Sequence, residues 1–171
     1  MLAVILQGAA WCFGEDVNTD VILPGKYLKF TSEEGAAHVM EGLDPTFASR
    51  VIAGDVIVGG ANFGCGSSRE SAPGAIKFAG VSAVVAVSFA RIFYRNAINL
   101  GLPVLACPEA RRIEAGQQLR IDVEAGRVEI LDTGEVLAAD ALSGHILDLV
   151  QAGGLLPYLE RKLGGAAASD Q

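Results

Sequence analysis

The apolar and polar positions follow two different patterns along the chain. In the middle, Val51–Val58 and Val81–Val87 are nearly continuous apolar runs, the second made of β-branched residues and alanine with a single serine. Runs of that kind mark strands covered on both faces. The first runs into a glycine-rich stretch, Gly59 to Ser68, after which a helix opens near Arg69 and ends around Gly80. Ala90–Leu100 has helical spacing and Pro103–Ala106 is a further short strand. Strand, glycine loop, helix, strand, helix, strand is the order of an α/β layer whose strands are at least partly parallel.

From Gln117 the pattern changes. Leu119–Val123, Val128–Leu131 and Val136–Leu137 are short strands separated by Ala125-Gly126 and Thr133-Gly134, which predicts antiparallel pairing. At the other end, Ala3–Leu6 is a short strand and Gly14 to Asp20 is an ordered loop rich in residues that bond to their own backbone. Ser32–Leu43 places Ala36, Val39, Met40 and Leu43 at helical spacing, with Ser32 as N-cap. Ala138–Leu163 returns to helix, interrupted at Gly153-Gly154 and at Pro157. Without an internal repeat or a long linker, 1–163 is expected to form one domain and 164–171 a frayed tail.

Composition narrows what such a domain does. Of 171 residues, 51% are hydrophobic and 19% charged, which suits a packed core rather than disorder. A formal net charge of −7 repels nucleic acid and anionic membranes, so neither is an expected partner. The N-terminus lacks the positive start of a signal peptide and no apolar run is long enough to span a membrane, so a cytoplasmic location is expected. Three widely spaced cysteines, Cys12, Cys65 and Cys107, form no C-x-x-C pair and fall short of the four thiolates that usually hold an iron–sulphur cluster.

The densest candidate chemistry is Gly64-Cys65-Gly66-Ser67-Ser68-Arg69-Glu70, between a strand and a helix start. Backbone N–H groups at a helix start lack helical acceptors and favour an anion, and Arg69 adds a fork that holds a carboxylate through two parallel bonds. Ser67 followed by Glu70 also fits a capping box, which needs no ligand. A P-loop would need Lys then Ser or Thr where this loop has Ser67-Ser68-Arg69, and a dinucleotide fingerprint would need glycine at Arg69. A thiol enzyme would use Cys65 with His38 or His145, two histidines on distant segments. Two further stretches stand out: Asn18-Thr19-Asp20 followed by Pro24 to Thr31, and Ser88 to Asn96, where Arg91 and Arg95 share a helical face with Asn99.

In this order the three stretches resemble the swivel domain of the aconitase superfamily and, in length and isolation, its 3-isopropylmalate dehydratase small-subunit family. The resemblance runs from about Gly14 to Leu105. It implies a swivelling β/β/α domain, an α/β fold with a mixed sheet flanked by helices. It also implies a hydro-lyase that works only with a large catalytic subunit, with no cofactor on this chain and a four-iron four-sulphur cluster on the partner. By resemblance Ser67 is the base that takes a proton from the carbon beside a carboxylate, and Arg69 grips a substrate carboxylate. Ser68 and Asp20 match neighbouring substrate-binding positions, Arg91 and Asn96 match positions in the following helix, and Glu70 lies beside them. The Tyr27–Thr31 loop is associated with substrate choice. Aconitase has an arginine where Thr31 aligns, and its absence here argues against a tricarboxylic citrate. Lys29 keeps a cation in the loop while Phe30 offers apolar surface. 3-Isopropylmalate in leucine synthesis is the leading expectation, with homoaconitate, citramalate or dimethylmalate open. A reading from another class is a free-standing anion-binding module.

Overall fold

The computed structural model describes residues 4–169, with side chains as far as 164. Among the described residues seven strands form one sheet: β1 (Ile5–Cys12), β2 (Val56–Gly59), β3 (Ala83–Ala86), β4 (Val104–Ala106), β5 (Gln118–Asp122), β6 (Arg127–Ile130) and β7 (Glu135–Ala138). Their spatial order is β4-β3-β2-β1-β5-β6-β7. The seam is β1. Ile5 to Ala9 pair antiparallel with Asp122 to Gln118, and Ala10 to Cys12 pair parallel with Val56 to Val58. Beyond the seam β2, β3 and β4 are parallel to one another, while β5, β6 and β7 are antiparallel.

Burial explains the two sequence patterns. All four residues of β2 and of β3 are buried, so both faces select apolar side chains. In β5, Leu119 and Ile121 are buried while Gln118 and Arg120 are exposed, which is the alternation of a sheet with one wet face. The first strand is twice as long as its apolar start suggests, because Gly8-Ala9-Ala10 reads as a poor strand. Small residues are needed there: a Cβ at Gly8 would lie 2.0 Å from the carbonyl oxygen of Gly54.

The helices are α1 (Thr19–Ile22), α2 (Ser32–Gly35), α3 (Phe47–Arg50), α4 (Ser71–Phe78), α5 (Arg91–Asn99), α6 (Gly144–Ala152) and α7 (Leu155–Ser169). The two βαβ crossovers, through α4 and α5, fall where the sequence placed them, each starting within about two residues of the expected position. The helix expected over Ser32–Leu43 does not form. Thr31, not Ser32, is the N-cap and accepts from Glu34 N at 3.1 Å, and α2 gives way to a 3-10 turn at Ala36–His38. Val39 is extended and Met40 has φ +61°. That turn drives two fully buried side chains inward and lets Met40 N donate to Ile22 O at 2.7 Å, so tertiary contacts override the helical spacing.

At the C-terminal end residues 139–143 are irregular and the helix resumes at Gly144. Gly153 (φ +89°) closes α6 as an αL cap. Pro157 does not interrupt α7: it is the third residue, in the first turn, where its missing N–H breaks no helical bond. The backbone of α7 continues to Ser169 through most of the segment expected to fray, and Asp170 and Gln171 lie outside the described residues.

Candidate active site

The glycine-rich segment leaves the C-terminal end of β2 and is held on both sides before reaching α4. On one side Phe63 N donates to Ser88 O (3.0 Å) and Ala90 N donates to Phe63 O (2.9 Å). On the other, Gly64 N donates to Val17 O (2.7 Å) and Thr19 N to Cys65 O (2.9 Å). Phe63 is fully buried and meets Phe93 edge-on at 5.4 Å. Gly64 (φ +83°) must be glycine twice over, since a Cβ there would sit 2.1 Å from Phe93 Cγ. The segment is thereby fixed between the polar loop before α1 and the start of α5, the other two stretches singled out in the sequence.

Ser67 emerges from this frame exposed, and its hydroxyl is 3.0 Å from Thr19 Oγ1. Ser67 N also donates to Thr19 Oγ1 (3.1 Å), and the threonine hydroxyl lies 3.3 Å from Ser67 O. Thr19 itself is buried, at 1% exposure, under the N-cap Asn18, whose side chain accepts from Val21 N at 2.9 Å. Ser67 caps nothing: α4 begins at Ser71, and its N-cap, Glu70, makes no side-chain capping bond. The capping-box reading is thereby displaced. Pro73 in the first turn of α4 also removes one of the backbone donors that a helix start would otherwise offer.

Arg69 is half-buried. Its Nη1 lies 2.7 Å from Asp20 Oδ1 and donates to Leu23 O at 3.4 Å. Nε and Nη2 have no partner among the described residues, which leaves the side edge of the fork open. Asn96 Nδ2 of α5 donates to Ser68 O at 3.3 Å and steadies the turn from the far side. Arg91 is exposed in the first turn of α5, and Glu70 is exposed beside the turn. The structure thus brings Ser67, Ser68, Arg69, Asp20 and Asn96 together.

Among the described residues Thr31 and Lys29 make no hydrogen bond or ion pair to that group. The Thr31 hydroxyl is occupied as the cap of α2, and Lys29 is exposed. Their loop begins beside the arginine, a Cβ at Gly25 falling 3.8 Å from Arg69 Nη2. It is pinned by contacts that the sequence did not announce. Tyr27 stacks on His38 with centroids 3.9 Å apart, Phe30 packs against both rings, and Glu41 accepts from Tyr27 Oη (3.2 Å) and pairs with His38 Nδ1 (3.0 Å). Those bonds hold the Glu41 carboxyl below its ordinary range. His38 belongs to this cluster and His145 packs edge-on against Tyr158, and among the described residues neither makes a hydrogen bond to Cys65. The other missed residue, Thr19, lay inside the quoted Asn18-Thr19-Asp20 stretch but had no local feature to distinguish it.

With this geometry in place, comparison with known proteins is decisive. Residues 29–110 match the aconitase C-terminal domain. The 3-isopropylmalate dehydratase small subunit of Moorella thermoacetica is 53% identical over 162 residues, covering 94% of this chain and 98% of that one. The chain belongs to the 3-isopropylmalate dehydratase small-subunit family. A methanogen homoaconitase small subunit from Methanothermobacter thermautotrophicus is 45% identical, with 98% of each chain covered. The crystal structure of a 3-isopropylmalate dehydratase from Methanocaldococcus jannaschii superposes with TM-score 0.90 at 45% identity, covering 96% of this chain and 99% of that one. The mixed, helix-flanked sheet expected from the resemblance is the fold found.

Among the described residues no three His, Cys, Asp or Glu side chains come together as metal ligands, and the three cysteines are free. Burial pushes the Cys12 thiol up to about 11 and raises that of Cys107, the reverse of what thiolate ligation requires. Among the described residues no helix is long and apolar enough to cross a membrane.

Proposed function

We propose that the chain is the small subunit of a hydro-lyase that interconverts 2-isopropylmalate and 3-isopropylmalate in leucine biosynthesis, completing an active site on a large subunit that carries a four-iron four-sulphur cluster. The observation that carries this reading is the exposed Ser67 hydroxyl, held by a buried threonine, two residues from a half-buried arginine with one edge of its fork open. Ser67, Ser68 and Asp20 stand exposed, as half of a site closed by a second surface would require. A small-subunit relative over nearly the full chain supports such a partner.

In this scheme Arg69 takes one substrate carboxylate through Nε and Nη2. Ser67, deprotonated, accepts the proton from the carbon next to a carboxylate as the neighbouring carbon loses its hydroxyl as hydroxide, which takes a proton from an acidic group of the large subunit to leave as water, so that an alkene remains. On re-addition water gives that proton back to the same group, its hydroxide adds at the other carbon, and Ser67 returns its proton to the first. When bound to the partner, the cluster supplies Lewis-acid chemistry for the leaving hydroxyl. The positive charge on Arg69 favours the serine oxyanion. Leu28 and Phe30, both exposed in the loop that starts beside Arg69, provide apolar surface suited to an isopropyl group. Lys29, between them, favours a longer acid, and the homoaconitase relative keeps that substrate as the second reading.

The test is anaerobic reconstitution with the large subunit and parallel assay of isopropylmalate, homoisocitrate and citramalate. Turnover should require this chain and be fastest with isopropylmalate. Equal activity from the large subunit alone would refute the reading. Ser67→Ala should lower turnover by about 10²–10⁴-fold while changing stability by no more than about 1 kcal/mol, because it removes one exposed hydroxyl. Wild-type turnover in that variant would take Ser67 out of the mechanism.

A further inference from the structure

We infer that Thr19 is a positioning residue whose hydroxyl switches acceptors to hold Ser67 in its deprotonated form. The inference rests on the reading of Ser67 as the base and gives the threonine beside it a part in the proton transfer, which that reading leaves unassigned. The threonine oxygen lies within hydrogen-bonding reach of three atoms of one residue: Ser67 Oγ at 3.0 Å, Ser67 N at 3.1 Å and Ser67 O at 3.3 Å. A hydroxyl has one proton to donate and two lone pairs. With Ser67 neutral, every group is satisfied in one arrangement. Ser67 N–H and Oγ–H both donate to Thr19 Oγ1, and the threonine proton goes to Ser67 O.

Once Ser67 loses its proton, that arrangement loses one bond and gains a stronger acceptor 3.0 Å away. Rotation of the threonine proton from the carbonyl to the oxyanion restores the bond in charge-assisted form, which is worth about twice a neutral one. Only a torsion about Cβ–Oγ1 is needed. At 1% exposure Thr19 is shielded from water, which strengthens the interaction and keeps the residue away from substrate. Its backbone is fixed at the same time, through Thr19 N to Cys65 O at 2.9 Å and through its place at the first position of α1 after the Asn18 cap. The hydroxyl is therefore aimed at Ser67 by the fold and not by the ligand.

The experiment compares Thr19→Val, which keeps shape and removes the hydroxyl, with Thr19→Ser, which keeps the hydroxyl, in the reconstituted two-subunit enzyme. Thr19→Val should lower kcat about 10- to 100-fold with KM nearly unchanged and move the acidic limb of the pH–rate profile upward by about one unit, because deprotonated Ser67 loses a donor. Thr19→Ser should restore both. A normal kcat and profile in Thr19→Val would overturn the inference. So would a slow Thr19→Val whose limb does not move or which Thr19→Ser fails to rescue, since either shows a packing role only. Should Thr19→Val fail to assemble with the large subunit, Thr19→Cys, a weaker donor of similar size, is judged by the same criteria. Ser67→Ala separates the two levels: if it stays active, the reading of the base has failed. If it is inactive while Thr19→Val behaves as wild type, only the present inference has.

Discussion

Nη1 of Arg69 is engaged by Asp20 and by the Leu23 carbonyl, which sets the guanidinium plane, so in the proposed mechanism less side-chain freedom remains to be lost when a carboxylate binds. Asp20 is 60% exposed, so the pair adds little to stability and its use is orientation. Lysine at this position would keep the charge and lose the fork. Arg69→Lys in the reconstituted enzyme is therefore expected to raise KM for isopropylmalate about 10- to 100-fold, the loss of one charge-assisted bond of about 1.5–3 kcal/mol, with a smaller change in kcat. Steady-state kinetics across a substrate range checks this, and an unchanged KM would place the carboxylate elsewhere. The components of this site were unequally legible. Ser67 and Arg69 stand in one short polar motif that stood out by itself, whereas Asp20 was singled out only by the family resemblance. The capping reading of Ser67 failed because the helix opens three residues after Arg69's neighbour Ser68, at Ser71, with Glu70 as an unbonded cap. Thr19 was hidden because the contact that gives it its proposed role is made to a residue 48 positions away.

Among the elements, those whose side chains repeat one burial pattern were the ones read well from sequence. The apolar runs of β2 and β3 and the helical spacing of α5 report burial directly, whereas Ser32–Leu43 fails because Val39 and Met40 are buried by a turn instead of by a helix face. The same dependence on distant contacts appears where helices end. Lys77 of α4 sends Nζ to Leu100 O, at the C-terminus of α5, and to Gly153 O (2.9 Å), at the C-terminus of α6. One cation thus meets the negative ends of two helices and satisfies carbonyls that have no helical donor. Burial lowers the Lys77 pKa, which offsets part of the gain. Lys77→Met keeps the stem and removes the donors, and is expected to destabilise the chain by about 1–3 kcal/mol. Urea unfolding measures it: a lower midpoint at unchanged slope is the expected result, and an unchanged midpoint would mean that water replaces the amine at both carbonyls.

Over the whole molecule, exposed carboxylates join segments that the core leaves separate. Glu15 accepts from Arg111 Nε and from Ala61 N (both 2.6 Å), tying the loop before Thr19 to the end of β2 and to the stretch after β4. The Arg111 bond is the larger reason its carboxyl titrates below the ordinary value of 4.5. Glu41 is lowered chiefly by the Tyr27 hydroxyl, and Asp44 by its bonds to Thr46. For an acid whose folded pKa is depressed, the unfolded chain takes up the proton first as pH falls, so the stabilisation is complete above the unfolded value and lost as pH drops through the folded one. All three groups act in the same direction, and all three are open to solvent and screened by salt. With a net charge of −7, protonation also relieves self-repulsion, which softens the decline without reversing it. Thermal unfolding of the isolated chain should therefore be nearly independent of pH from about 8 to 6 and shift to lower temperature below about pH 4.5. The acid-side drop should shrink at high salt, and Glu15→Gln should flatten it most near the loop that carries Thr19 and Asp20, as hydrogen exchange in residues 14–20 would show. A melting temperature that rises steadily between pH 6 and 4 would mean that charge repulsion outweighs these bonds.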